Sequence, residues 1–193
     1  MKYLENMKPF REFAPQRTYK GQKTNYRDYK PYLAKDFRGR CGYTDCSDVW
    51  FGGQNNFHID HFIPWKGAKD SERLKTDYNN LVYCCSYVNI LKSNDQGLFS
   101  DPCNVDFNEL FYRDNMGNIH PYESSDSAKY MYHKMRLYMA RYSIIWMLDQ
   151  LELRMSKIAE IIEKQQEENE LGILLSKLVN EQFKYKEYLS KSL

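Results

Sequence analysis

The chain of 193 residues has no apolar run that approaches the roughly 20 residues needed to span a membrane. Charged residues interrupt the first thirty positions throughout, so we expect no secretory signal peptide. The five cysteines are an odd number and include the adjacent pair Cys84 and Cys85, which argues against a disulfide framework. We therefore expect a cytoplasmic protein with reduced thiols and no membrane partner.

The chain also lacks a strong overall charge, because the formal net charge is only +2. The charges are nevertheless unevenly distributed. Residues 8–40 hold ten basic and three acidic side chains, whereas residues 149–170 hold seven acidic and three basic ones. Tyr and Phe alternate with the basic residues in the first segment, which suits binding to a nucleic-acid backbone. We interpret residues 1–40 as a basic aromatic arm; the alternative is a solvated arm with a few aromatics packed on the domain.

The middle of the chain predicts two strands and a helix. Residues 57–63 are rich in aromatic and β-branched side chains and end at Pro64, which is typical of a strand. Residues 65–80 are polar and predict a long connecting loop. Residues 81–85 predict a second short strand, and residues 86–93 predict two turns of helix.

The C-terminal part predicts long helices. Glycine and proline are absent from residues 128–170, and apolar residues recur there in steps of three and four. This pattern predicts one long amphipathic helix, with Ser127 or Asp126 as its N-cap. We expect Gly172 to end it and residues 173–188 to form a shorter helix. The predicted class is therefore α+β, mainly helical.

The candidate catalytic and metal-binding residues lie in the central segment. Asp60 and His61 adjoin at the end of the first strand, and Asn89 lies on the following helix. Mg²⁺ prefers oxygen ligands and keeps several waters, so one carboxylate and one carboxamide suffice when a substrate phosphate supplies another oxygen. A neighbouring imidazole can then take a proton from water.

This segment resembles the HNH endonuclease family over about residues 41–94. The motif residues that match are Asp60 and His61 followed by Pro64, Asn80 followed by Leu81, and Asn89 followed by Lys92. The resemblance implies a ββα-metal fold in residues 41–100, between the arm and a helical region at residues 101–193.

The same resemblance implies roles for four residues. His61 is the general base, Asp60 and Asn89 bind one Mg²⁺ or Mn²⁺ ion, and Asn80 helps to orient the histidine ring. The implied reaction is metal-assisted hydrolysis of a phosphodiester bond. The alternative to a catalytic role is that Asp60 and His61 form a purely structural pair at a strand end.

Four further residues are candidate nucleic-acid contacts. His58 is expected on the same strand face as Asp60, where it binds phosphate or metal or is an ordinary packed histidine. Lys92 neutralises a phosphate or is a solvated helix residue. Arg38 and Arg40, at the end of the arm, are expected to contact nucleic acid.

Many HNH proteins carry a structural zinc held by two Cys-x-x-Cys pairs. Here four residues separate Cys41 from Cys46, and Val88 stands where a cysteine of the second pair would precede the helix asparagine. We expect no zinc, with the cysteines as small buried apolar residues. The alternative is a site made by Cys41, Cys46, Cys85 and either Cys84 or Cys103.

A second resemblance covers residues 101–141, which look like the C-terminal half of stand-alone HNH proteins in bacterial anti-phage systems, including the nuclease subunits of Septu and of related retron systems. It implies an ABC-type or SMC-like ATPase partner, docked on the terminal helices. The first hypothesis is therefore a DNA endonuclease, with duplex DNA as substrate, in a defence complex. The second is a non-catalytic nucleic-acid-binding module with a structural metal. A third, a helical adaptor with a degenerate nuclease remnant, is disfavoured because all four motif residues are present.

Overall fold

The computed structural model describes residues 7–165 and 169–191. The chain is α+β and 51% helical, in agreement with the predicted class. It divides into two compact units, Met1–Tyr138 and Met139–Leu193. Within the described ranges, no helix is both long and apolar enough to cross a membrane.

The strands pair into two small antiparallel sheets, one of order β1-β4-β5 and one made of β2 and β3. The strands are β1 (Lys8–Pro9), β2 (Phe57–His61), β3 (Leu81–Cys85), β4 (Phe111–Arg113) and β5 (Ile119–Pro121). The α-helices are α1 (Lys30–Asp36), α2 (Ser71–Thr76), α3 (Ser86–Lys92), α4 (Asp126–Lys134), α5 (Ala140–Gln165) and α6 (Asn169–Lys191).

The predicted strand, strand and helix in the middle of the chain are present. Strand β2 pairs with β3 in a register that sets Asp60 opposite Val82 and His61 opposite Leu81. Helix α3 begins directly after β3, and all five residues of β3 are buried. Strand β2 ends at His61, two residues earlier than predicted, and the connecting segment contains the helix α2, which sequence reasoning missed.

The N-terminal segment is packed into the first unit, which differs from the arm predicted for residues 1–40. Strand β1 pairs with β4, over a hundred positions later in the chain. Phe10, Tyr29, Leu33 and Phe37 are almost completely buried. Regular structure in this segment is short, as expected, but its apolar side chains belong to the core. The boundary predicted at residue 40 therefore does not coincide with a boundary between compact units.

The single long helix predicted for residues 128–170 is wrong. Helix α4 ends at Lys134, and Arg136 takes a positive φ of 51° before α5 begins. The structure buries Leu137 and leaves its neighbour Tyr138 53% exposed. Burial of Leu137 is out of step with a continuous helix, so the core overrides the sequence periodicity.

The predicted ends of the helices also change. The N-cap of α4 is Ser125, whose hydroxyl accepts from the backbone N–H of Ala128, in place of Ser127 or Asp126. Gly172 does not break a helix, because it lies inside α6. The expected continuity through residues 166–168 lies outside the described residues.

Candidate active site

The ring of His61 is fixed at the end of β2 by a hydrogen bond to the backbone. Its Nε2 lies 2.9 Å from the carbonyl oxygen of Lys75. A carbonyl can only accept, so Nε2 carries the hydrogen and Nδ1 of the neutral ring is an acceptor. The ring also lies 4.7 Å from that of Tyr26. Burial lowers the pKa of His61, against the opposing effects of the Lys75 carbonyl and of Asp60, so the neutral form is favoured.

Asn80 holds the two pieces of backbone that surround this histidine. Its side-chain oxygen accepts from the N–H of Ile63 at 2.8 Å, and its side-chain nitrogen donates to the carbonyls of Ile63 and Leu74, each at 2.9 Å. Leu74 directly precedes Lys75, whose carbonyl accepts from His61. Asn80 therefore positions the histidine through backbone hydrogen bonds on either side of it.

Asp60 points into the protein, where it meets a lysine and a tyrosine. Its Oδ2 accepts from the Tyr43 hydroxyl at 2.7 Å, and the Nζ of Lys92 lies 3.1 Å from Oδ2 and 3.2 Å from Oδ1. The same ammonium donates to the backbone carbonyl of His61 at 3.0 Å. Asp60 is 4% exposed and Lys92 0%. Lys92 is therefore not the solvated helix residue offered as the alternative, because its ammonium pairs with a buried carboxylate. The expected phosphate contact by Lys92 stays a prediction, which requires this pair to open.

Asn89 is paired with His58. The side-chain nitrogen of Asn89 donates to Nδ1 of His58 at 3.1 Å, on the outside of the hairpin. The expected metal ligands, Asp60 and Asn89, thus have different partners, and both oxygens of Asp60 are occupied. As placed, the pair does not fit as a joint ligand set for one ion. Nowhere in residues 7–165 and 169–191 do three or more His, Cys, Asp or Glu residues group as a possible metal site.

The cysteines belong to strand β3 and to segments outside the hairpin. The thiols of Cys41 and Cys85 are 4.0 Å apart, and the Cys46 thiol faces the backbone carbonyl of Thr44 at 3.8 Å. Four of the five cysteines are buried, which matches their expected role as small apolar residues. The alternative set of four sulfur ligands is not assembled in the described part of the chain.

A cleft of about 320 Å³ opens beside His58, and His61 lies behind Tyr26, one of the residues that line it. Its lining residues come from the segment that leads into α1 and the first residue of that helix, from β2 and from α3: Tyr26, Arg27, Lys30, Phe57, His58, Ile59 and Asn89. We call it the basic cleft. The predicted contacts Arg38 and Arg40 do not line it: Arg38 stacks at 3.7 Å on Phe13, and Arg40 pairs with Asp45 at 3.2 Å.

Sequence reasoning missed Tyr26, Arg27 and Lys30 as neighbours of His61 and His58. The available signal was the alternation of basic and aromatic residues before α1, which indicated the right segment but not which members meet the motif. Comparison of the chain with protein-family models, with curated proteins and with solved structures found no match.

Proposed function

We propose that this protein is an HNH-type endonuclease that hydrolyses phosphodiester bonds of DNA, with a ββα-metal core. The observation that carries the proposal is the hydrogen bond between His61 and the Lys75 carbonyl. It sets the tautomer in which Nδ1 can take a proton, and partial burial keeps the ring neutral near pH 7.

In the proposed reaction, His61 acts on water. Nδ1 takes a proton as the water oxygen bonds to phosphorus, and the bond from phosphorus to the ester oxygen breaks. The leaving oxygen takes a proton from solvent, and the protonated imidazole returns its own to solvent. General-base assistance of this kind contributes about 10² to 10⁴ in rate.

The cofactor stays part of the proposal as Mg²⁺ or Mn²⁺. Because Lys92 and Tyr43 occupy the oxygens of Asp60, ion binding there requires the carboxylate to exchange the ammonium for the ion. We therefore assign no step of the hydrolysis to the metal.

The second candidate is a non-catalytic nucleic-acid-binding module. The observation that favours it is the buried pair of Asp60 and Lys92, which neutralises the carboxylate that a catalytic ion would need. In this alternative the hairpin and α3 present the basic cleft to nucleic acid without hydrolysis.

The biological setting proposed from the second resemblance is a cytoplasmic anti-phage complex with an ABC-type or SMC-like ATPase. Helix α6 supports a docking role, because several of its large apolar residues are exposed: Ile173 by 59%, Phe183 by 63% and Tyr188 by 50%. Exposed apolar side chains on one helix are a common basis for binding a partner.

The class of activity is tested with supercoiled plasmid incubated with the full chain in Mg²⁺, in Mn²⁺ and in EDTA. We expect nicked or linear product with either metal and none in EDTA. Intact plasmid in every condition, together with retained DNA binding and a stoichiometric Zn²⁺ ion, would favour the binding module.

A further inference from the structure

The basic cleft joins the N-terminal segment to the motif. Tyr26 and Arg27 precede α1, and Lys30 begins it, whereas His58 and Asn89 come from β2 and α3. Elements far apart in sequence thus converge on one opening. None of the three N-terminal residues lies in the segment that resembles a nuclease.

The cleft carries positive charge at its mouth. Arg27 is exposed, and Lys30 is half-buried, with its ammonium donating to the Asn55 carbonyl at 2.8 Å. The pKa of His58 is lowered mainly by burial and to a smaller extent by the positive charge of Lys30. The nearest acidic neighbour in sequence, Asp28, is exposed and does not line the cleft.

The side chain of Tyr26 lies near both Arg27 and His61, the candidate general base. Its ring lines the cleft and meets the ring of His61 edge-on, with centroids 4.7 Å apart and planes at 68°. The guanidinium of Arg27 lies 5.9 Å from the centre of the same ring. The ring of Tyr26 is therefore close both to the guanidinium of Arg27 and to the ring of His61.

We propose that Arg27 and Lys30 bind backbone phosphates of a polynucleotide in the basic cleft, and that Tyr26 separates this phosphate site from His61. The inference rests on the proposed function, since it names the residues that deliver the substrate to the same histidine. Two cations near an aromatic ring match what a polynucleotide offers, namely phosphates and flat bases.

Binding is measured separately from cleavage by using His61→Ala as the background. In this background we compare Arg27→Gln/Lys30→Gln with Lys35→Gln, a matched change of an exposed lysine on α1 outside the cleft. The measurement is the fluorescence anisotropy of a labelled DNA duplex across a salt series, with single-stranded DNA and an RNA duplex as further probes.

The logarithm of the binding constant falls as the logarithm of the salt concentration rises, and each phosphate contact contributes about 0.9 to the steepness of this slope. The double variant is therefore expected to make the slope less steep by about 2. Lys35→Gln is expected to leave the slope unchanged, and Arg27→Lys to retain it. If the double variant also loses affinity for the RNA duplex, the ligand of these two residues is the phosphate backbone that DNA and RNA have in common.

The two proposals fail in different ways. A wild-type chain that binds DNA through Arg27 and Lys30 but never cleaves it would leave this inference standing and overturn the proposed function. An active wild-type chain, whose affinity and salt slope are the same in the double variant and in Lys35→Gln, would overturn the inference alone.

Discussion

The ammonium of Lys92 contacts both carboxylate oxygens of Asp60, at 3.1 and 3.2 Å, and neither residue is more than 4% exposed. Lys92 also donates to the His61 carbonyl, so one buried cation joins α3 to the end of β2. A buried charge without its partner is costly, so the two residues depend on each other. The pair holds the strand end that carries His61.

Lys92→Met is expected to lower the free energy of unfolding by about 3–5 kcal/mol, because it leaves the Asp60 carboxylate buried without a counter-ion. Urea unfolding of the full chain measures the loss. Lys69→Met, a change at an exposed lysine, is the control and should stay within about 0.5 kcal/mol. Asp60→Asn/Lys92→Met should recover much of the loss; a Lys92→Met chain as stable as the control would refute the dependence.

Asn80→Ala is expected to lower kcat with little effect on KM, because the carboxamide positions the backbone around His61 and lies away from the basic cleft. Stability should also fall, by about 1–3 kcal/mol for each buried group left without a partner. Steady-state cleavage kinetics test the first effect. The neighbouring change Asn79→Ala, at an exposed side chain, should leave both constants unaltered; equal effects of the two variants would contradict the positioning role.

The pH dependence of cleavage follows from the lowered pKa of His61. Only the neutral ring can accept a proton, so the rate should rise about tenfold per pH unit below that pKa and level off above it. Burial places the midpoint below the ordinary value of 6.5. Single-turnover rates from about pH 5 to 8 test this.

His58 also has a lowered pKa, from burial and from Lys30, so the His58→Ala chain must be measured beside the wild type. The rising limb should persist in that variant. A rate that falls as pH rises through this range would show that His61 does not act as the base.

The hairpin and α3 could be predicted because their signals are local. Aromatic and β-branched residues at 57–61 and the apolar run at 81–85 match short strands. The orientation of Asp60 could not be predicted, because it depends on Lys92 and Tyr43, which lie 32 and 17 positions away. The motif identified which residues lie near the site, but packing decides which atoms they meet.

The N-terminal segment and the last helices were also predicted incorrectly because long-range packing determines them. The basic residues of the N-terminal segment suggested an exposed arm, but its apolar residues Tyr29, Leu33 and Phe37 fill the core of the first unit. The turn at Arg136 carries no glycine or proline, so nothing local indicated it. Long-range burial decided both features.

Gly172 offers a test of the corrected helix. An added methyl group would meet nothing within 4 Å, and the residue lies inside α6. Gly172→Ala should therefore stabilise the helix by about 0.5–1 kcal/mol, by reducing the conformational freedom of the unfolded chain. Thermal unfolding followed by circular dichroism measures it; a clear destabilisation would indicate that residue 172 ends a helix after all.

The central claim is that His61 activates water, and plasmid cleavage by the His61→Ala chain tests it most directly. The matched control is His133→Ala, a change at an exposed histidine outside the site. In Mg²⁺ or Mn²⁺ we expect the single-turnover rate of His61→Ala to fall about 10² to 10⁴-fold, with DNA binding retained and the control unchanged. Cleavage by His61→Ala at the wild-type rate would contradict the account.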